Sequence, residues 1–509
     1  MKTGTLLQWW CALGLGALPL AAQDAAELEK LQKQLREAQE NFERVTREQR
    51  QLIENLARQV RELQRQGAAT NVMPAAAPTG PTNAWRPSDP LRIGSKSAYA
   101  DIGFVGTIAV GGSTASDIEG GLQPGGHDPN QRGFTLQGLE MGVTGAVDPY
   151  FRGAANLSFA LDAEGETFLE LEEAWLETMS LPWNLQLRAG QMFTDFGRHN
   201  ATHLHAWSFV DAPLVNARFL GPDGLRNPGA RIAWLTPTPF YSELSFGLQN
   251  SQGETATSFR SEGGHHHDDA ENEDPPLAYR HADNDRGVSH VDDLLISTRY
   301  ALSFDLTPSQ VLLVGGSAAF GPNSRGGEDA GETTTQIYGV DLTWKWKSPR
   351  HQGGFPFVQW QTEALVRKYE AGAFDWSEEG AATDPNVVVD TGTGAPAVLS
   401  GETLVDHGLY SQLLYGFRKG WVAGLRADFV SGNEGSYERR ALTYNGTALG
   451  RDPQRAQRWR LSPNLTWYPT EFSKIRLQYN FDDRLGIGQD HSVWLQFEFL
   501  LGAHAAHRF

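Results

Sequence analysis

The chain has 509 residues, 43 Lys and Arg against 61 Asp and Glu, a formal charge of −18, and one cysteine. So negative a balance argues against nucleic acid as a partner, because phosphate binding calls for clustered cations. Apolar residues at 40% and aromatics at 10% exclude a disordered chain, and after residue 22 no apolar run approaches the ~20 residues of a spanning helix.

Residues 1–22 read as a secretory signal peptide: Lys2, then LLQWWCALGLGALPLAA, then the small pair Ala21-Ala22. Cys11 lies inside it, so the exported chain has no thiol for a disulfide or a thiolate metal site. Residues 23–66 form a coiled-coil domain. Within it Leu28, Leu31, Leu35, Ala38, Phe42, Val45, Gln49, Leu52, Leu56, Gln59 and Leu63 follow one another at alternating spacings of 3 and 4. Such a seam needs a partner, and the expected one is a second or third copy of the chain, a trimer being favoured, joined through residues 28–63. A Pro/Ala-rich linker, 67–96, has no periodicity and too little apolar content to pack.

From 97 to 509 the texture changes to period 2. SKIRLQYNF (473–481) sets Ile475, Leu477, Tyr479 and Phe481 against Lys474, Arg476, Gln478 and Asn480. HSVWLQFEFLL and RWRLSPNLTWY alternate in the same way. One apolar and one strongly polar face on ~10-residue strands is the pattern of a transmembrane β-barrel.

About sixteen such strands are legible, near 97–110, 135–147, 151–161, 167–178, 184–193, 227–235, 240–250, 291–304, 309–320, 335–347, 355–369, 406–418, 421–430, 457–468, 473–481 and 491–501. Short connections (DPY, SLPWN, TPTP, DLTP, RKG, YPTEF) alternate with mostly long, glycine-rich, acidic ones, as turns and outer loops do in outer-membrane barrels. The expected fold is therefore an all-β transmembrane barrel of about 16 antiparallel strands, preceded by a signal peptide and an α-helical coiled coil. The barrel sits in the lipid of a Gram-negative-type outer membrane, with the coiled coil in the periplasm.

Sixteen strands enclose a water-filled lumen. Assigned by parity, Glu140, Glu170 and Glu172 line one side, and Arg426, Arg458, Arg460, Lys474 and Arg476 the other. Opposed walls of this kind would set up a transverse field that orients dipolar solutes. The long connection 194–226 is the candidate constriction loop. In it His199 and His203 would share a face of a helical turn, and His203 and His205 a face of an extended segment.

The 14 histidines concentrate on the loop side. EGGHHHDDAENEDPP carries His265, His266 and His267 beside Asp268 and Asp269, in a connection, 251–290, with nine acidic and three basic residues. Imidazole beside carboxylate suits divalent cations such as Zn²⁺, captured transiently. No resident cofactor is required. A solvated hydrophilic loop would show the same composition.

The barrel region resembles the phosphate-selective-porin-like group of bacterial outer-membrane proteins. Within that group it is most similar to a family labelled zinc-regulated outer-membrane receptors. The resemblance runs through LEMGVTGAVDPYFRG (139–153), EEAWLETMSLPWNLQLRAGQMFTDFGRHNATHLHAWSFVDAPLV (172–215), WLTPTPFY (234–241), RLSPNLTWYPTEFSKIRLQYN (460–480) and LLGAHAAHRF (500–509). It implies a pore with a role in acquiring divalent metal, and carries over to His199, His203, His205, His504 and His507.

The leading expectation is a porin-like channel for small hydrophilic solutes that favours divalent metal ions. Two other readings stand beside it: a general or anion/sugar diffusion porin with incidental histidines, and an envelope protein tethered by its coiled coil. GxSxG is absent and no triad of catalytic residues is placed, so an enzyme is not expected.

Overall fold

A computed structural model of the chain describes residues 91–94, 98–146, 148–161, 165–260, 288–324, 333–377, 389–444 and 446–502. The signal peptide 1–22, the coiled coil 23–66, the stretch His265–Asp269, and His504 and His507 lie outside the described residues.

Sixteen strands form the wall: β1 (Tyr99–Ser113), β2 (Gly133–Ala146), β3 (Phe151–Leu161), β4 (Thr167–Thr178), β5 (Leu185–Phe193), β6 (Arg226–Leu235), β7 (Tyr241–Asn250) and β8 (Leu294–Thr307). The second half comprises β9 (Gln310–Pro322), β10 (Thr334–Gln352), β11 (Phe355–Ala371), β12 (Glu402–Arg418), β13 (Trp421–Gly432), β14 (Arg458–Thr470), β15 (Ser473–Arg484) and β16 (Gly488–Gly502). Each pairs antiparallel with its chain neighbours, and β16 returns to β1 from Gly103↔Gly502 to Ser113↔Ser492. The sheet is closed, so no edge is left with unpaired backbone groups.

The predicted linker end is not irregular. Leu91–Gly94 pairs with the start of β1 in the register Leu91↔Ile102 to Gly94↔Tyr99. Arg92 clamps it through a 2.6 Å ion pair with Asp101 while its guanidinium lies 4.2 Å over the Tyr99 ring. The sheet therefore starts at Leu91 rather than at 97.

Alternation decides which side chains meet which medium. In β15, Lys474, Arg476, Gln478, Asn480 and Asp482 point inward and are buried, while Leu477 and Tyr479 point outward and are exposed. Leu461, Leu465, Leu425, Leu413, Val493, Phe497 and Phe499 continue the outward apolar band on neighbouring strands. Near the short turns it gives way to exposed aromatics, among them Tyr150, Phe151, Trp183, Phe240, Tyr241 and Trp467, with Trp467 stacked on Trp421 at 5.7 Å. An apolar band ending in an aromatic girdle is what a lipid interface selects.

The lumen departs from the uniformly polar lining that parity suggests. Connection 194–225, between β5 and β6, folds into the barrel and carries a helix, α1 (Leu214–Leu220), which Gly221 ends at φ +99°. Its Leu214, Val215, Phe219 and Leu220, with Phe196 and Leu225, pack against inward residues Leu295, Ile337, Leu365, Tyr410 and Val430 of β8 and β10–β13. Each such side chain, fully buried, contributes roughly 1.5–3 kcal/mol. Part of the lumen is thus an apolar core that holds the loop, and the polar cavities lie around it.

Candidate cation site in the lumen

The segment 198–212 crosses between the two charged walls and is tied to both. On the basic side, Asp211 accepts from Arg426 at 2.6 Å, Asn480 at 2.7 Å, Gln478 at 3.0 Å and Arg460 at 3.1 Å. Backbone carbonyls of His205 and Trp207 accept from Lys474 and Arg476 at 3.0 and 2.8 Å. The backbone N–H of Val210 donates to Gln478 at 2.9 Å. Every residue of the predicted basic wall is buried, and the wall is not bare. Arg426 also pairs with Asp428, Arg458 and Arg460 with Asp482, and Lys474 with Glu498. The expected open transverse field is thereby replaced by a neutralised network that grips the loop.

On the acidic side the loop presents imidazoles. His203 lies between two carboxylates, Nδ1 2.8 Å from Glu172 Oε2 and Nε2 2.9 Å from Glu173 Oε2, and His205 Nδ1 is 2.6 Å from Glu140 Oε2. The two rings stack at 5.9 Å with a 12° interplanar angle. His127, from the β1–β2 connection, adds a third imidazole. Its Nε2 is 3.2 Å from Glu172 Oε1, 3.9 Å from Asp223 and 4.0 Å from Glu170, which also pairs with Arg226. His203 and His205 do come together, but not on an extended segment, because Leu204–Ala206 forms a 3₁₀ turn that begins at His203.

His199 faces elsewhere. Its ring packs on Trp207 at 5.2 Å and Tyr410 at 6.3 Å, and its backbone N–H donates to Glu363 at 2.7 Å. Burial, with Arg426 nearby, pushes its pKa down to about 3. For His127 burial also opposes the proton, but Glu172 and Asp223 outweigh it and the pKa is pushed up to about 9. His203 is raised for the same reason by Glu172 and Glu173. A proton held between imidazole and carboxylate marks a place where a divalent cation can substitute for it.

Glu173, His127 and Asp223 escape the sequence reading. Strict alternation after Glu170 and Glu172 would turn Glu173 toward lipid. The register of β3 and β4 instead slips between Asn156 and Leu157, pairing Asn156 with Glu173 and Leu157 with Leu171, so that Glu172 stands opposite no partner. This bulge aims two consecutive carboxylates inward. His127 and Asp223 meet the strand acids only through tertiary folding, and nothing local marks them.

The cluster lies between two larger cavities. Toward the long loops a space of about 310 Å³ is lined by Asp117, Glu119, Arg218, Glu254 and Arg458. Toward the short turns a space of about 330 Å³ is lined by Arg198, Lys345, Gln359, Gln361, Gln412 and Lys474. Between them a void of about 30 Å³ holds His127, Glu172 and His203. It shares Ala217 and Pro222 with the first and His199, Thr202 and Trp207 with the second.

Closed register, outward apolar band and inward loop define the class: a membrane-spanning, 16-stranded antiparallel β-barrel whose lumen is narrowed by its own β5–β6 connection. The chain is 32% identical over 404 residues, 76% of its length and 73% of the relative's, to an uncharacterized protein of Aquifex aeolicus (strain VF5), and belongs to the same family. No protein-family model matches it. Similar solved structures include the outer membrane channel DcaP of Acinetobacter baumannii, 12% identical with a TM-score of 0.46 over 80% of this chain and 99% of that one. An anion-selective porin from Comamonas acidovorans is 8% identical with a TM-score of 0.46 over 79% and 100%.

Proposed function

We propose that the chain is a porin-like channel of the outer membrane for small hydrophilic solutes, and that it favours divalent metal cations, zinc among them. The observation that carries the reading is the His127–Glu172–His203 group lining the small void between the two larger cavities. Imidazole and carboxylate are the donors that borderline divalent cations prefer, and a permeant ion must exchange water for such ligands where the path is narrow. The short turns face the periplasm in this arrangement. The assembly is a homo-oligomer, with a trimer favoured, joined through residues 28–63. The zinc assignment draws in addition on the resemblance to zinc-regulated outer-membrane proteins.

Reversal potentials in planar bilayers under ZnCl₂ and KCl gradients test this. Zinc should permeate ahead of potassium and should block or slow potassium current, and His203→Ala should abolish both effects. A channel indifferent to zinc sinks the metal reading. It would favour a general or anion/sugar porin instead, which Arg198 and Lys345 on the turn-side cavity also suit.

A further inference from the structure

We propose that the lumen cluster holds two divalent cations at once, bridged by the Glu172 carboxylate; the inference rests on the divalent-cation reading above and specifies its site. Two sets of ligand atoms, His127–Glu170–Asp223 and Glu140–Glu172–His203, each gather within 4.8 Å. Glu172 belongs to both environments. Its Oε1 is 3.2 Å from His127 Nε2, and its Oε2 is 2.8 Å from His203 Nδ1. One carboxylate thus offers one oxygen to each imidazole, the arrangement of a bridging ligand rather than a chelating one.

A cation at ~2.0–2.2 Å from imidazole nitrogen and carboxylate oxygen can satisfy only one of these pairs. The other pair remains as a second place. The first place is completed by Glu170 and Asp223, the second by Glu140, whose other oxygen faces His205 in the next layer. The set also has vacant valence in the protein itself. Glu140 Oε1, on a residue 3% exposed, has no hydrogen-bond partner among the described residues.

Charge leads to the same count. Glu140, Glu170, Glu172 and Glu173 converge here, with Asp223 beside them, and the guanidinium of Arg226 answers on Glu170. One divalent cation leaves the cluster negative, and a second is still attracted. Two adjacent places sharing a ligand are also what conduction requires, since entry of the second ion weakens the hold on the first. A single deep site would trap the ion instead.

The test uses the full chain in detergent, stripped with a chelator and titrated with Mn²⁺ followed by electron paramagnetic resonance. At saturation the parent should show the exchange-coupled signal of a bridged Mn²⁺ pair. Glu172→Gln should lose that signal and two equivalents of bound metal relative to the parent. Asp223→Asn should lose the pair signal and one equivalent. Heat-modifiable electrophoretic mobility verifies that each variant has a closed barrel, and Glu140→Gln, expected to behave as Asp223→Asn, replaces any variant that fails to close. Isolated Mn²⁺ signals only, or a single equivalent lost in Glu172→Gln, would overturn the two-ion proposal while leaving a cation channel in place. Bound metal unchanged in all three variants, together with currents indifferent to zinc, would remove the divalent-cation reading as well.

Discussion

Asp211→Asn is the perturbation that most directly probes how the loop is held. Asp211 is buried among Arg426, Arg460, Gln478 and Asn480 and stands in the 198–212 segment, away from the apolar anchor of α1. Around it the guanidinium groups of Arg426, Arg458 and Arg460 are balanced by the carboxylates of Asp211, Asp428 and Asp482. The substitution keeps the shape and removes one charge, leaving a buried guanidinium uncompensated. Removing one partner of a buried pair costs ~3–5 kcal/mol. Arg426 keeps Asp428 and Arg460 keeps Asp482, so the lower end, ~3 kcal/mol, applies. At 1.4 kcal/mol per tenfold this raises the population of the undocked segment about a hundredfold. Phe219 and its apolar neighbours keep the rest of the loop in place. Single-channel recording should therefore show added bursts of higher conductance, and the reversal potential should move toward anion preference. Traces and reversal potential equal to the parent's, from a barrel with normal heat-modifiable mobility, would refute the idea that Asp211 is the tether.

Acid should act on the same tether with a defined sign. Burial opposes ionisation of Asp211, but Arg426 and Arg460 outweigh it and hold the carboxyl below its usual 3.8. Its contribution to docking is complete above about 3.8 and fades only as pH falls through the lower docked value, so the Asp211→Asn phenotype should match the parent's only in strong acid. Gly197 sits at φ +60°, where an added Cβ would run into the Glu363 carboxylate that accepts from His199 N–H and Tyr410. Gly197→Ala should cost ~1–2 kcal/mol from backbone strain alone and speed protease cleavage within 194–225; unchanged cleavage would contradict the docked loop. Leu477→Arg, on the outward face of β15, should lower unfolding stability in bilayers by ~2–4 kcal/mol, and a negligible loss would mean that this face does not meet lipid. Deleting 28–63 should abolish cross-linked oligomers while leaving conductance per barrel intact, and persistent oligomers would assign assembly to the barrel wall.

The sixteen strands were legible because a barrel wall separates lipid from lumen at every second residue, and a stretch such as SKIRLQYNF records that separation directly. What alternation cannot show is what fills the lumen. Leu295, Ile337, Leu365 and Val430 point inward and are apolar because α1 lies against them, and the position of a loop in space has no local periodicity. The acids and bases of the lining were readable one strand at a time, yet their pairing was not, since Asp211 comes from a connection more than 200 residues from Arg426. Glu173 was hidden for a different reason: a one-residue bulge inverts parity, and no composition rule marks where it falls. His203 and His205 stood out by type, but the 3₁₀ turn Leu204–Ala206 that brings their rings together was not readable from their spacing.

One short segment therefore answers both walls at once, imidazoles toward the carboxylates and a carboxylate toward the guanidinium groups. That complementarity makes selectivity separable from obstruction. Losing Asp211 weakens the grip on the basic side, where no cation is bound, so it should change how often the path widens. Losing His203 removes ligand atoms on the acidic side, but Lys474, Arg476 and Arg426 still hold the backbone of the same segment. His203→Ala should then shift zinc-to-potassium permeability while leaving unit conductance in KCl near the parent's, the opposite signature to Asp211→Asn. If His203→Ala also adds bursts of higher conductance in KCl, as Asp211→Asn should, the two walls act as one mechanical unit, and the histidines hold the loop without choosing the ion.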